Sequence, residues 1–223
     1  LFKANLLKAK RQPLLLGVLV MLVCYSSYFI FKARSQPSAE VYWFKNFVVY
    51  LNCLQPFFFN LIVAVQRRFE DQSSNFNRIL ALPSRSKWLI NFTAQTYLIW
   101  ILNLVIMNFL FVCFTSLAMK TYLMFWLSLA ILGSVWLPII DFISIIYGYV
   151  AGLVIGIIAI PFTIYYGTEQ LGTSIWRIIP WVYNAKIYLI SSQRLVWFIL
   201  IIAVVTLIKQ LLANWRFNNW LGN

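Results

Sequence analysis

The feature that most constrains this chain is a succession of apolar runs, each roughly 20 residues long and divided by short polar segments. A run of that length spans about 30 Å of hydrocarbon as a helix. The runs are unbroken, whereas barrel strands would alternate apolar and polar residues, so the expected spanning structure is helical. Charged residues make up 10% of the 223 positions, against about 25% in a typical soluble domain. The expected fold is therefore all-α: a polytopic membrane protein with one transmembrane domain over 1–223.

Six spans are expected, at about 14–31, 46–66, 88–114, 121–139, 144–166 and 195–213. The second is expected to be interrupted at Gln55-Pro56, and the fourth to end near Pro138 and Asp141. The segment LFKANLLKAKRQ before Pro13 carries Phe2, Leu6 and Ala9 at helical spacing among basic residues. It reads either as an amphipathic helix in the headgroup plane or as an ordinary basic flank. The chain begins at Leu1 rather than Met, so residues before it are expected; the first apolar run lacks a small-residue cleavage site and is taken as a retained span.

Several functions are excluded or weakened by composition. The absence of histidine removes His-based catalysis and His ligation of metal. Cys24, Cys53 and Cys113 each lie inside an apolar run without metal spacing, and read as packing residues. No metal site, bound cofactor or enzymatic centre is expected, because five acids scattered along the chain assemble no positioned set. A secondary transporter is the alternative, but there is no internal repeat and almost no midplane charge. The net charge of +13 points to anionic lipid rather than nucleic acid, because the basic residues flank the spans. With the N-terminus inside, eleven basic residues fall on the cytoplasmic side and seven outside, which places both termini in the cytoplasm.

Between the second and third spans lies VQRRFEDQSSNFNRILALPSRSKWL, charged yet carrying its own apolar stripe. Phe69, Phe76, Ile79 and Leu80 share a helical face; Glu70 and Asp71 stand at the helix start, where the dipole favours acids. Pro83 stops the pattern. The expectation is a short surface helix over about 70–82, either resting at the bilayer surface or docking a soluble partner.

Elsewhere, Gly148, Gly152 and Gly156 form a smooth stripe in the fifth span, for close packing within the chain or against another subunit. Asp141 reads as a cap or loop residue at a span end, with a transport role as the alternative. The connection after the fifth span contains Trp176, Arg177, Trp181 and Tyr183. These suit an interfacial aromatic belt or an outer gate on an amphipathic hairpin that lies at, or dips into, the outer leaflet. Asn52, Gln55, Asn60, Asn91, Gln95, Asn103 and Asn108 lie within spans, to line a path or to bond between helices.

Glu70, Ser73, Ile79, Leu80, the Leu82-Pro83 turn and Ser84-Arg85 before the third span together resemble the permeases of type-2 ABC exporters. Many relatives carry glycine where Ser73 or Ser74 stands. In small size and aromatic, basic character the chain is similar to the lantibiotic immunity permeases of the bacterial plasma membrane. The resemblance implies that Glu70, Asp71, Phe76, Ile79, Leu80 and Arg85 couple the chain to ABC ATPase subunits. It also implies a related second permease and an amphipathic peptide substrate. The chain has no P-loop motif, so ATP and magnesium would be used by the partner ATPase.

Overall fold

The computed structural model describes residues 13–74, 85–167, 177, 179–186 and 192–219. Within them every regular element is a helix: α1 (Pro13–Ser35), α2 (Glu40–Ser74), α3 (Arg85–Phe114), α4 (Met119–Trp126), α5 (Leu137–Tyr147), α6 (Tyr149–Gly167) and α7 (Ser192–Asn218). A π-helical turn, Leu127–Ile131, and a 3-10 stretch, Leu132–Trp136, join α4 to α5 in one crossing. Among the described residues, six helical stretches are long and apolar enough to cross a membrane. The chain is thus an all-α, multi-pass membrane protein. The amphipathic segment expected over residues 1–12 lies outside the described residues.

Crossings alternate in direction, which gives the bundle two ends. At one, the backbone amide of Ser116 donates to Glu40 Oε1 at 2.9 Å. At the other, the amide of Ser86 donates to Asn218 Oδ1 at 3.2 Å. These are called the Glu40 end and the Arg85 end. Aromatic packing closes both. Phe47 lies 4.5 Å from Phe111 between ring centroids at the first, and Trp88 lies 5.8 Å from Phe217 at the second.

α2 is the central helix, packed against α1, α5 and α6. Three expectations about span limits are corrected. Gln55-Pro56 does not interrupt the second span: Pro56 is accommodated inside a continuous helix of 35 residues. That helix runs past position 66 to Ser74, so residues 70–74 continue the span as its last turn. The break between the fourth and fifth crossings falls at Gly148 rather than beside Asp141. Gly148 has φ of 100°, a left-handed conformation that a Cβ disfavours and that ends helices at glycine. Pro138 starts α5, where a missing amide proton costs nothing.

Candidate functional site

The interior of the bundle holds a hydrogen-bonded polar seam. Its origin is Pro56, which has no amide proton to give the carbonyl of Asn52 one turn earlier. Asn184 Nδ2 approaches that carbonyl at 3.4 Å and Gln55 Oε1 at 3.0 Å. In return, Asn52 Nδ2 donates to the carbonyl of Asn184 at 3.0 Å. Asn184 belongs to the segment 180–186, whose residues 182–186 are buried. Asn52 stands twelve residues along α2 from Glu40, a helical rise of about 18 Å. The segment therefore folds back from the Glu40 end deep into the bundle.

Gln55 extends the seam to the irregular crossing. Its Nε2 donates to the Leu129 carbonyl at 2.7 Å, and Trp100 Nε1 donates to the same oxygen at 3.2 Å. The Tyr97 hydroxyl donates to the Ala130 carbonyl at 2.9 Å. π and 3-10 turns turn backbone carbonyls away from regular helical partners. In a hydrocarbon interior side chains must meet them, and here α2 and α3 supply those donors. Gly133 makes this possible, since a Cβ there would overlap the Gln55 amide.

Residues singled out from sequence fall in different places. Glu70 and Asp71 lie on the backbone of the last turn of α2; Phe76, Ile79 and Leu80 lie outside the described residues; Arg85 opens α3. Of the stretch 70–82 expected as a separate surface helix, residues 70–74 are the end of α2, and 75–82 lie outside the described residues. Gly152 and Gly156 face Asn60 of α2, and Gly152 also meets the Ser144 hydroxyl of α5. Gly148 has nothing near its Cβ position and serves as the turn. Trp176 is outside the described residues, while Trp181 lies in the 3-10 turn Pro180–Val182. Arg177 is exposed, and its carbonyl accepts the Tyr183 hydroxyl at 2.5 Å. Tyr183 is buried edge-on against Phe198, 4.4 Å between centroids, and burial pushes its phenol above its ordinary range. It anchors the segment to α7 and stays a neutral donor. Asn60, Asn91 and Asn103 bond to carbonyls of their own helices, whereas Asn52 and Gln55 belong to the seam.

Asp141 requires a correction. It lies in mid-α5, 1% exposed, not in a loop. Among the described residues neither carboxylate oxygen has a hydrogen-bond partner; the Thr93 hydroxyl of α3 faces the carboxyl without completing a bond of good geometry. Beside this pair, α3, the fourth crossing and α7 enclose a groove of about 540 Å³. Its wall includes Thr93, Tyr97, Ile131, Pro138, Ile202 and Gln210. Sequence reasoning missed both Asn184 and the groove. The carbonyl freed by Pro56 was a signal for a donor such as Asn184, but nothing local says which one. Among the described residues no group of three or more Cys, Asp or Glu is placed to hold a metal ion.

Comparison with models of known families, with curated proteins and with solved structures returned no match.

Proposed function

We propose that this chain is the membrane-spanning permease subunit of a type-2 ABC exporter, driven by ATPase subunits on separate chains. A related second permease would complete the pore. The substrate would be a lantibiotic or similar antimicrobial peptide, expelled from the bacterial plasma membrane for self-immunity. ATP and magnesium would act on the partner ATPase, and both termini would face the cytoplasm. The observation that carries this reading is the charged, amphipathic stretch 67–87, set at the end of an unbroken central helix. A 35-residue helix is about 52 Å long. Movement imposed on residues 70–82 by an ATPase would travel along α2 as along a rod. It would reach Asn52 and Gln55, and through Asn184 the segment folded into the opposite end. Phe76 would be the anchor in the ATPase cleft, because buried aromatics commonly dominate such interfaces.

The test is to purify the tagged full chain from its host membrane and measure vanadate-sensitive ATP hydrolysis and its stimulation by cationic peptide. Phe76→Ala should abolish the co-purifying ATPase and lower peptide resistance by about tenfold or more, with Glu70→Ala weaker. Full resistance in Phe76→Ala at unchanged membrane abundance would overturn the reading.

A further inference from the structure

The two helices that wall the groove are longer than the hydrocarbon they cross. The 30 residues of α3 reach about 45 Å, against about 30 Å of hydrocarbon. Its first turn, joined to the end of α7 through Ser86 and Asn218, therefore stands at headgroup level. The groove begins below this contact and runs toward the middle of the bundle. From Gln210 to Ile199 is eleven residues of α7, about 16 Å, which is as deep as one leaflet of hydrocarbon. Ile90, Ile131 and Leu207 in its wall are exposed, so it opens sideways to lipid. Its volume of about 540 Å³ falls within the range of about 300–1,000 Å³ usual for small-molecule sites.

The Arg85 end of the groove is marked by basic side chains. Lys87 precedes Ile90, Ala94 and Tyr97 at spacings of three, four and three. An exposed lysine thus stands one turn above the groove, on the groove's own face of α3. On α7, exposed Arg216 lies at the level where Asn218 meets Ser86, and Lys209 adjoins Gln210. Neither α3 nor α7 contains an acidic residue. Asp141 does not line the groove and is 1% exposed, and Glu70 and Asp71 belong to α2, which forms none of its wall. Thr93 and Thr206 lie in opposite walls, and neither hydroxyl has a hydrogen-bond partner among the described residues. A helical threonine can return its hydroxyl to the carbonyl one turn earlier; left unpaired and buried, it favours an occupant that brings an acceptor oxygen.

We infer that this groove holds one acyl chain of an anionic glycerophospholipid from the leaflet at the Arg85 end, with the lipid phosphate beside Lys87. The chain lies between α3, the fourth crossing and α7, where Ala94 and Ala203 leave room for it. Thr93 stands six residues below Lys87, about 9 Å, a gap that the glycerol unit and the flexible lysine stem span together. At that depth the Thr93 hydroxyl donates to an ester oxygen. A negative head is preferred because the walls carry basic residues at headgroup level and no acid to oppose them. The inference goes beyond the proposed export and does not rest on it, because every group involved belongs to this chain and none to the segment 70–82.

The test uses the full chain in phosphatidylcholine nanodiscs with a trace of photoreactive lipid: phosphatidylglycerol or phosphatidylcholine, each with a diazirine near the tip of one acyl chain. Peptide mapping should find the phosphatidylglycerol crosslink on Ile131, Ile199 or Ile202. Unlabelled phosphatidylglycerol should compete, while inorganic phosphate should not. Lys87→Gln should weaken phosphatidylglycerol labelling by about fivefold, the factor one basic residue contributes at a lipid surface, and leave phosphatidylcholine labelling unchanged. Lys87→Arg should preserve both, as should Lys120→Gln at the Glu40 end. Ala203→Trp, which fills the groove from an exposed position, should abolish the crosslink. Equal labelling by the two probes, full labelling in Lys87→Gln, or labelling that Ala203→Trp leaves intact would each overturn the inference; the first would reveal a groove for any acyl chain. Loss of ATP coupling in Phe76→Ala with labelling unchanged separates this site from the export reading.

Discussion

At the scale of the residue, Gln55 links three elements at once. Its amide satisfies the Leu129 carbonyl and accepts from Asn184. Gln55→Leu keeps the volume but removes both bonds, leaving the Leu129 carbonyl with Trp100 Nε1 alone and the Asn184 amide with only its long contact to the Asn52 carbonyl, at a cost of about 1–3 kcal/mol in all. The expected outcome is a lower Tm in detergent, with earlier proteolysis of the 180–186 segment; an unchanged Tm would count against the seam. The glycines make a second contrast. Gly148 has open space but positive φ, whereas Gly156 has ordinary φ and the Asn60 amide where a Cβ would sit. Gly148→Asn and Gly148→Val should therefore both destabilise, through the backbone rather than through overlap, since φ of 100° with ψ of 154° is open essentially to glycine alone. At position 156 alanine and asparagine should both destabilise, by overlap rather than by backbone strain. Thermal melts of the four variants check this. The stripe at four-residue spacing was legible from sequence, but its three members looked alike there. Only the neighbours of each glycine separate a turn from a packing surface.

At the scale of the element, α2 is the informative case. A proline in mid-span reads locally as a break, and the sequence expectation followed that rule. The helix continues because its missing hydrogen bond is replaced from a segment more than a hundred residues away. Such compensation is invisible to any local pattern. If α2 acts as a rod, inserting one alanine between Arg68 and Phe69 turns everything beyond it by about 100° about the helix axis. Peptide resistance should then be lost with membrane abundance and Tm unchanged, and a four-alanine insertion, close to a full turn, should recover part of it. Equal resistance in all three forms would mean that orientation at the end of α2 does not matter. The fourth crossing teaches the same lesson from the other side. Its π and 3-10 turns carry no distinctive local sequence; they persist because Gln55, Tyr97 and Trp100 meet the carbonyls they release.

At the scale of the whole molecule, the alternation of six crossings sets Ser116 and Ser86 at opposite ends. In a background lacking Cys24, Cys53 and Cys113, Ser116→Cys should react with a membrane-impermeant maleimide in intact cells. Ser86→Cys should react only after the membrane is opened. The reverse pattern would invert the proposed orientation and place residues 70–82 outside. The outward faces are apolar along their length, with Leu102, Phe109 and Trp197 all more than 60% exposed. Lipid or a second subunit satisfies such faces equally by area, so composition alone does not divide them.

The number of crossings and the helical class were determined by the sequence itself, because hydrocarbon demands an unbroken apolar run and an internally bonded backbone, and both are properties of single segments. The seam through Asn184, the depth of Asp141 and the groove beside it were decided only by tertiary structure. Each depends on which helix supplies the missing partner for a buried polar group, and that is a relation between segments far apart in the chain.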